Sequence, residues 1–325
     1  MKINEIGGEF ALIDRLAQIC PTHQTDLVVG MGDDAAVIRT APEPAPYLLV
    51  TTDILVSGRH FKKQWAGARQ VGIKAAECNI SDIAAMGGAP TWMFVSLVLS
   101  DHTPVEWVEE LYQGLAASCS RHGVVVAGGD TTQGAVDTIN IVLLGSVAPG
   151  DLCLRSRARP GDLLLVSGTL GASAAGLALL LEDLPAGDYL RQKHLAPTCR
   201  LVTGRRVAPL ANAMIDISDG LGSEVHHICD QSGTGAEIEL ERIPLHADVV
   251  SAARTLRMDP YQWALSGGED FELLFSIAPD KLALLERTGV EYHRVGKVTD
   301  AGAGIVLIQP DGSRTMLPSG YDHFK

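Results

Sequence analysis

Short runs of β-branched and aliphatic residues alternate along this chain with longer stretches in which apolar positions recur every three or four residues. Near the N-terminus Phe10, Ile13, Leu16 and Ile19 have the spacing of one helix face. Strand-like runs follow at 26–29, 35–38 and 47–52, with a Pro-rich turn at 41–46. Residues 68–86 fit a helix that stops at Gly87 and Gly88, with Pro90 just beyond. The run 91–100 has the β-branched and aromatic content of a buried strand, 104–121 returns to helical spacing, and 124–127 and 138–147 read as strands. The segment 148–162, polar and rich in Gly, Pro and Arg, suits a linker and divides the chain into units 1–150 and 151–325. The second unit restarts with a strand at 163–166, helices at 172–181 and near 198–208, a strand at 213–215, a helix at 221–229 and further alternation to 308. Such interleaving predicts an α/β or α+β fold.

Composition narrows the function classes. With 46% hydrophobic and 20% charged residues the chain is an ordinary globular one, and with aromatics at 5% its cores must be built from Ala, Val, Leu and Ile. A net charge of -13 opposes attraction to nucleic acid or an anionic membrane, so neither is expected as a partner, and a small anionic substrate would need metal ions beside it. The six cysteines form no C-x-x-C pair and sit among apolar neighbours, as reduced thiols of a cytoplasmic protein do. The first twenty residues lack the basic flank and apolar run of a signal peptide. Stretches such as 92–99 fall far short of the roughly 20 residues that span a bilayer. A soluble protein is expected.

The positions of the acids change the picture most. Asp33 and Asp34 stand in VVGMGDDAAV, Asp53 in LLVTTDILVSGRHF, Asp82 in ECNISDIAAMGG, Asp130 in VVVAGGDTTQG, Asp216 and Asp219 in MIDISDGL, and Glu269 and Asp270 in LSGGEDFELLF. Any one of them could cap a helix or make an Asx turn. Together they lie at the ends of apolar strands or beside small residues, where chain ends deliver groups to a shared cleft. Converging carboxylates repel by roughly 4 kcal/mol per pair at ~4 Å and an effective dielectric near 20, so cations must accompany them. Oxygen ligands without a His/Cys cluster select Mg²⁺, and Mg²⁺ with Gly-rich loops suits a nucleoside triphosphate such as ATP. Phosphoryl transfer follows as the reaction class, although the P-loop and the protein-kinase motifs are both absent. Gly30-Met31-Gly32-Asp33-Asp34-Ala35 matches a dinucleotide fingerprint in form only: AAVIRTAPEPAP reads as a strand into a turn where the fingerprint needs a helix.

The motifs VGMGDDAAV, TTDILVSGRHF, KAAECNISDIAAMGGAP, AGGDTT, DISDGL, SGGEDFELLF and GYDHF, in this order from position 30 to 324, resemble those of the thiamine-monophosphate kinase family. Its wider superfamily includes aminoimidazole-ribonucleotide synthetase and selenophosphate synthetase. The resemblance implies Mg²⁺-dependent transfer of phosphate from ATP to thiamine monophosphate (TMP), in a homodimer whose N-terminal domains pair their mixed sheets and whose C-terminal α/β domains complete the site. It also implies roles: Asp34, Thr51, Thr52, Asp53, Asp82, Asp130, Asp216 and Asp219 resemble the metal-site positions. Gly129, Asp130, Arg155 and Ser218 resemble the ATP contacts, and His60, Glu269 and Tyr321 those to TMP. Asp53, Asp82 and Asp130 would then serve catalysis through metal alone, because a substrate phosphate oxygen is already ionised and needs no general base. Arg59 departs from the pattern, standing where a small or polar residue is expected, as does Ile80 in place of Leu. Residue by residue, Arg155 also reads as a linker charge, His60 as a turn residue, Tyr321 as an anchor for the tail, and Thr51 and Thr52 as strand formers. Lys74, His226 and His227 read as helix surface or packing, without chemistry. A non-catalytic sensor of Mg²⁺ and nucleotide would use the same loops. The sister activities are disfavoured by the absence of a Cys near either end where those enzymes carry one.

Overall fold

The structure is a computed structural model that describes residues 5, 9–19, 25–42 and 44–321. Cys20 and the Asp322–Phe324 part of the GYDHF motif lie outside the described residues. The first helix, α1 (Glu9–Ile19), forms where the apolar spacing predicts it. The chain then builds a six-stranded sheet from β1 (Leu27–Val29), β2 (Ala36–Ile38), β3 (Tyr47–Val56), β4 (Ala89–Leu99), β5 (Val125–Gln133) and β6 (Thr138–Val147). Their order is β1-β2-β3-β6-β4-β5, antiparallel except for the β4–β5 pair. Alternation in β4 puts Met93, Val95 and Leu97 in the core and leaves Trp92 and Phe94 exposed, as a sheet with one covered face requires. The covering layer is α2 (Ala68–Ala85), with α3 (Val105–His122) packed on it.

A seven-stranded sheet forms the second half: β7 (Leu163–Val166), β8 (Ala213–Asp216), β9 (Thr234–Glu239), β10 (Leu273–Ile277), β11 (His293–Asp300), β12 (Ile305–Ile308) and β13 (Arg314–Met316). The order is β13-β12-β9-β11-β7-β10-β8, with only β9 and β12 parallel. Around it lie α4 (Ala172–Leu181), α5 (Asp188–Leu195), α6 (Leu201–Val207), α7 (Leu221–Ser232), α8 (Ala247–Leu256), α9 (Pro260–Ser266) and α10 (Leu282–Arg287). Among the described residues the fold is thus mixed α/β with two sheets. No described helix is long and apolar enough to cross a membrane.

Three details depart from the sequence reading. GGDTT lies inside β5 and Asp53 inside β3, not at strand ends, because pairing of Asp130 with Ser96 and of Asp53 with Ile141 overrides the low strand propensity of Asp and Gly. Gly129 is required there by packing, since a Cβ would overlap the Val95 carbonyl oxygen. The segment 148–162 is packed rather than solvated: Leu152, Cys153 and Ala158 are buried, and the Cys153 amide donates to the Met86 carbonyl at 3.3 Å. α5 was missed because its sequence, DYLRQKHL, offers little apolar periodicity.

Helix α2 organises the two halves. It is buried along most of its length although it carries Lys74, Glu77, Asn79 and Ser81. Its contact with α3 is a reciprocal glycine crossing, in which a Cβ on Gly72 would meet the Leu111 carbonyl and one on Gly114 the Arg69 carbonyl. Because both obstacles are backbone, Gly114→Ala should destabilise the protein by about 1–3 kcal/mol, the usual cost of overpacking. Urea denaturation checks this, and a loss below about 0.5 kcal/mol would show that the helices can separate freely.

Candidate active site

The site is assembled where α2 meets the ends of several segments. Side-chain oxygens of Asp34, Asp82 and Asp216 all lie within 4.8 Å of one another. Asp34 follows β1 in the 30–34 turn, Asp82 projects from the last turns of α2, and Asp216 ends β8. Thr51, on the helix-covered face of β3, donates its hydroxyl to Asp82 Oδ2, and Ser81 Oγ donates to Asp216 Oδ2 at 2.6 Å. The Asp53 amide donates to Asn79 Oδ1 at 3.2 Å, which ties β3 to α2.

Arg155 is the cation of this cluster. It lies in the 3₁₀ turn Arg155–Arg157, and its Nη2 donates to Asp34 Oδ1 at 2.5 Å while its backbone N–H donates to Asp33 Oδ2 at 3.2 Å. One guanidinium against so many carboxylates leaves them short of positive charge. Burial pushes the carboxyl of Asp216 up to about 8, with Asp34 and Asp53 adding to it. Loss of solvent and the neighbouring Asp34 raise Asp53 to about 6, and burial with Asp34 raises Asp33 to about 7. Asp82 is held well above the usual range by burial and by Asp53, Asp216 and Asp34. Asp34 Oδ2 is buried without a hydrogen-bond partner among the described residues. An all-oxygen donor set, an orphaned carboxylate oxygen and a surplus of negative charge fit a hard divalent cation.

Ser218 and Asp219 follow Asp216 in the chain and are tied by backbone bonds to two further acids. The Asp219 amide donates to Glu224 Oε1 at 2.8 Å, and the Ser218 carbonyl accepts from the Glu269 amide at 2.7 Å. Glu224, buried on α7 and pushed well above the usual carboxyl range by burial and by Asp219, was missed by the sequence reading. Asp33 stands out in the sequence only as half of a pair. Glu224 follows DISDG by four residues on a helix, so nothing but its position could have revealed it.

The residues expected on the substrate side form a second group. Glu269 stands in the left-handed region (φ 66), two residues before Phe271 (φ 50), strain of order 1–3 kcal/mol each for non-glycine residues. Its Oε1 pairs with Lys74 Nζ at 2.7 Å and its Oε2 lies 3.3 Å from His194 Nδ1. Burial alone would raise its carboxyl, but Lys74 and His194 outweigh that and bring it down to about 2. Lys74 also donates to the His60 carbonyl at 3.1 Å, and His60 Nδ1 accepts from the Val56 amide at 2.9 Å. Lys74 is therefore a buried connector, not a helix-surface residue, and its place among alanines on α2 gave no hint of that. Tyr321 donates its amide to the Asp219 carbonyl at 2.9 Å, and Arg59 sits 5.3 Å over its ring. The residue that departed from the motif thus joins the 57–60 turn to the C-terminal segment.

The structure does not bring every expected residue into the cluster. The Thr52 hydroxyl is on the opposite face of β3 from Thr51, where it accepts from Asn140 at 3.0 Å. Asp130 is exposed, and the register Ile54–Asn140–Ser96–Asp130 puts it three strands from β3, about 14 Å at the usual spacing.

Comparison with known proteins decides the family. Residues 32–147 match the model of the N-terminal domain of AIR synthase related proteins and 159–309 that of the C-terminal domain. The thiamine-monophosphate kinase of Escherichia coli K12 is 37% identical over 98% of each chain. The chain belongs to the thiamine-monophosphate kinase family. Solved structures of the family agree: AaThiL complexed with AMPPCP and TMP superposes with a TM-score of 0.87 at 34% identity, covering 100% of this chain and 99% of that one. The thiamine monophosphate kinase of Aquifex aeolicus gives 0.81 at 31%, covering 97% and 100%.

The charge surplus predicts a pH dependence in metal-free buffer. Asp33, Asp53 and Asp216 have folded values raised to about 7, 6 and 8, so the folded protein holds protons that the unfolded chain releases near pH 4. Their contribution is complete below pH 4 and lost as pH rises through those values, so between pH 5 and 8 the melting temperature should fall. It should fall less in Asp216→Asn, and divalent cation should restore it at pH 8. A flat profile in wild type would mean that the protein neutralises these carboxylates by itself.

Proposed function

We propose that this chain transfers the γ-phosphoryl group of ATP directly to thiamine monophosphate, giving ADP and thiamine diphosphate. The observation that carries the reading is the group of buried carboxylates whose charge one arginine does not balance, in a chain whose relative AaThiL takes both AMPPCP and TMP. A terminal phosphate oxygen of TMP attacks the γ-phosphorus in line, the bond to the β–γ bridging oxygen breaks, and ADP leaves. No residue has to remove a proton, which accords with the metal and phosphate character of the site.

Asp34, Asp53, Asp82, Asp216 and Asp219, with Thr51, would hold several Mg²⁺ ions. Bound there, the ions would neutralise the transferring phosphoryl group. Arg155 and Ser218 would position ATP, and His60, Glu269 and Tyr321 would position TMP. Thr51 and Ser81 orient Asp82 and Asp216 through their hydroxyls. Glu224 and Asp33 hold the DISDG segment and Arg155 in place.

Gly129 and Asp130 would contact ATP, and Asp130 and Thr52 a metal ion, at a subunit boundary in a homodimer. This is supported by the uncovered face of the N-terminal sheet, where Trp92 is 51% and Ile54 53% exposed, and by Asp130 lying on the exposed edge strand. The units 1–150 and 151–325 would be the dimerising and site-completing domains. The cytoplasm is the proposed location, consistent with five free, buried cysteines among the described residues.

Purified protein with ATP, Mg²⁺ and TMP should release ADP and thiamine diphosphate, and thiamine itself should not be phosphorylated. No diphosphate product would sink the proposal. Asp82→Asn should lower kcat on the order of 100-fold or more while the melting temperature moves by only a few degrees, and near-normal kcat would reduce Asp82 to a structural group.

A further inference from the structure

Lys74 has a place in the molecule that the reaction does not by itself require. Its side chain is 3% exposed, on a helix whose neighbours are mainly Ala, Ile and Val, and a lone ammonium there would be strongly disfavoured. Two partners hold it, and they come from different halves of the chain. The Glu269 carboxylate, at 2.7 Å, belongs to the 267–271 segment, and the His60 carbonyl, at 3.1 Å, belongs to the turn after β3.

Both ends are constrained independently. The Glu269 backbone is left-handed and its amide is bonded to the Ser218 carbonyl, so the side chain leaves the main chain in one direction. Its second oxygen lies against His194 Nδ1, which is itself 3.0 Å from Ser173 Oγ. Around His60, Val56 N–H fixes the imidazole through Nδ1, and the His60 amide returns to the Val56 carbonyl at 2.9 Å. Lys74 is the side chain that spans these two fixed pieces. The Glu269 side chain remains 28% exposed, enough to meet a ligand.

We propose that Lys74 is a positioning residue for the TMP half of the site: it fixes the Glu269 carboxylate and the His60 turn relative to one another, so that both meet the acceptor in one geometry. The inference rests on the reading that the chain phosphorylates TMP. Lys74 acts through these two groups and not on the reacting atoms. The consequence is a split between substrates. Asp34, Asp82 and Asp216 are held by Arg155, Thr51 and Ser81, so ATP binding should be indifferent to Lys74.

Wild type, Lys74→Met, Glu269→Gln and the double variant are compared by steady-state kinetics in both substrates, with calorimetric titration of TMP into each protein. Lys74→Met should raise KM for TMP at least tenfold and weaken TMP binding in parallel, with KM for ATP within about twofold of wild type. In the Glu269→Gln background the same change should raise KM for TMP by clearly less than it does in wild type, because one of the two groups that Lys74 holds is already neutral and only the bond to the His60 carbonyl remains to be lost. Independent, multiplicative losses, an equal rise in KM for ATP, or an unchanged KM for TMP would each overturn the proposal. Should Lys74→Met fail to fold with Glu269 left to His194 alone, the double variant removes both charges and its comparison with Glu269→Gln decides alone. Wild-type protein with no turnover of TMP overturns the functional reading and this inference together; wild-type turnover with a normal Lys74→Met overturns this inference only.

Discussion

A helix buried on nearly all sides that carries charge must have its partners built around it, and α2 imposes that requirement on the whole molecule. Lys74, Glu77 and Ser81 fall at i, i+3 and i+7, one face of the helix. Each bonds to the second half of the chain: Lys74 to Glu269, Glu77 to the Cys199 amide, and Ser81 to Asp216. The same spacing that usually marks an apolar seam here marks a polar one. Glu77, fully buried, also takes Arg121 at 2.9 Å and His122 at 3.1 Å from α3, so one carboxylate fastens three elements. On the adjoining face Asp82 receives Thr51 from β3. Buried polar groups left without such partners would cost more than the fold can spare, so the two sheets are held in register by chemistry as well as by apolar packing.

The seam leads to two electrostatic regimes about 12 Å apart along α2, eight residues at 1.5 Å each. Around Lys74 the charges balance: one ammonium and His194 hold one carboxylate low. Around Asp82 they do not, and burial with mutual repulsion pushes carboxyl after carboxyl upward in spite of Arg155. A balanced region serves to fix geometry. An unbalanced one stores an affinity for cations, and in the proposed reaction the polyphosphate and its ions supply what is missing. In that proposed reaction acid–base catalysis is not called for.

Much of this was legible in the sequence. The existence of β4 and the Gly87–Gly88 stop of α2 follow from local pattern, and the short strand β2 after Asp34 disposed of the dinucleotide fingerprint, but β4 reads as buried on both faces and the structure leaves Trp92 and Phe94 exposed on one of them. The convergence of Asp34, Asp82 and Asp216 could be argued from the improbability of so many acids at apolar chain ends. What could not be read was pairing across the chain. Lys74 and Glu77 look like the polar positions of any helix until their burial is known. Glu224 carries no motif, and Arg155 resembled a linker charge until Asp33 and Asp34 were found beside it. The separation of Thr52 and Asp130 from the cluster depends on sheet register and strand order, which no local pattern specifies.

The central claim is that the carboxylates gather to hold divalent cations with a nucleotide, and crystals grown with Mn²⁺ and a non-hydrolysable ATP analogue test it most directly. Anomalous density should appear at about 2.2 Å from oxygens of Asp34, Asp82 and Asp216, bridging to the phosphates of the analogue. An analogue bound with no anomalous density at these three residues, its phosphates held by Arg155 and backbone amides alone, would contradict it.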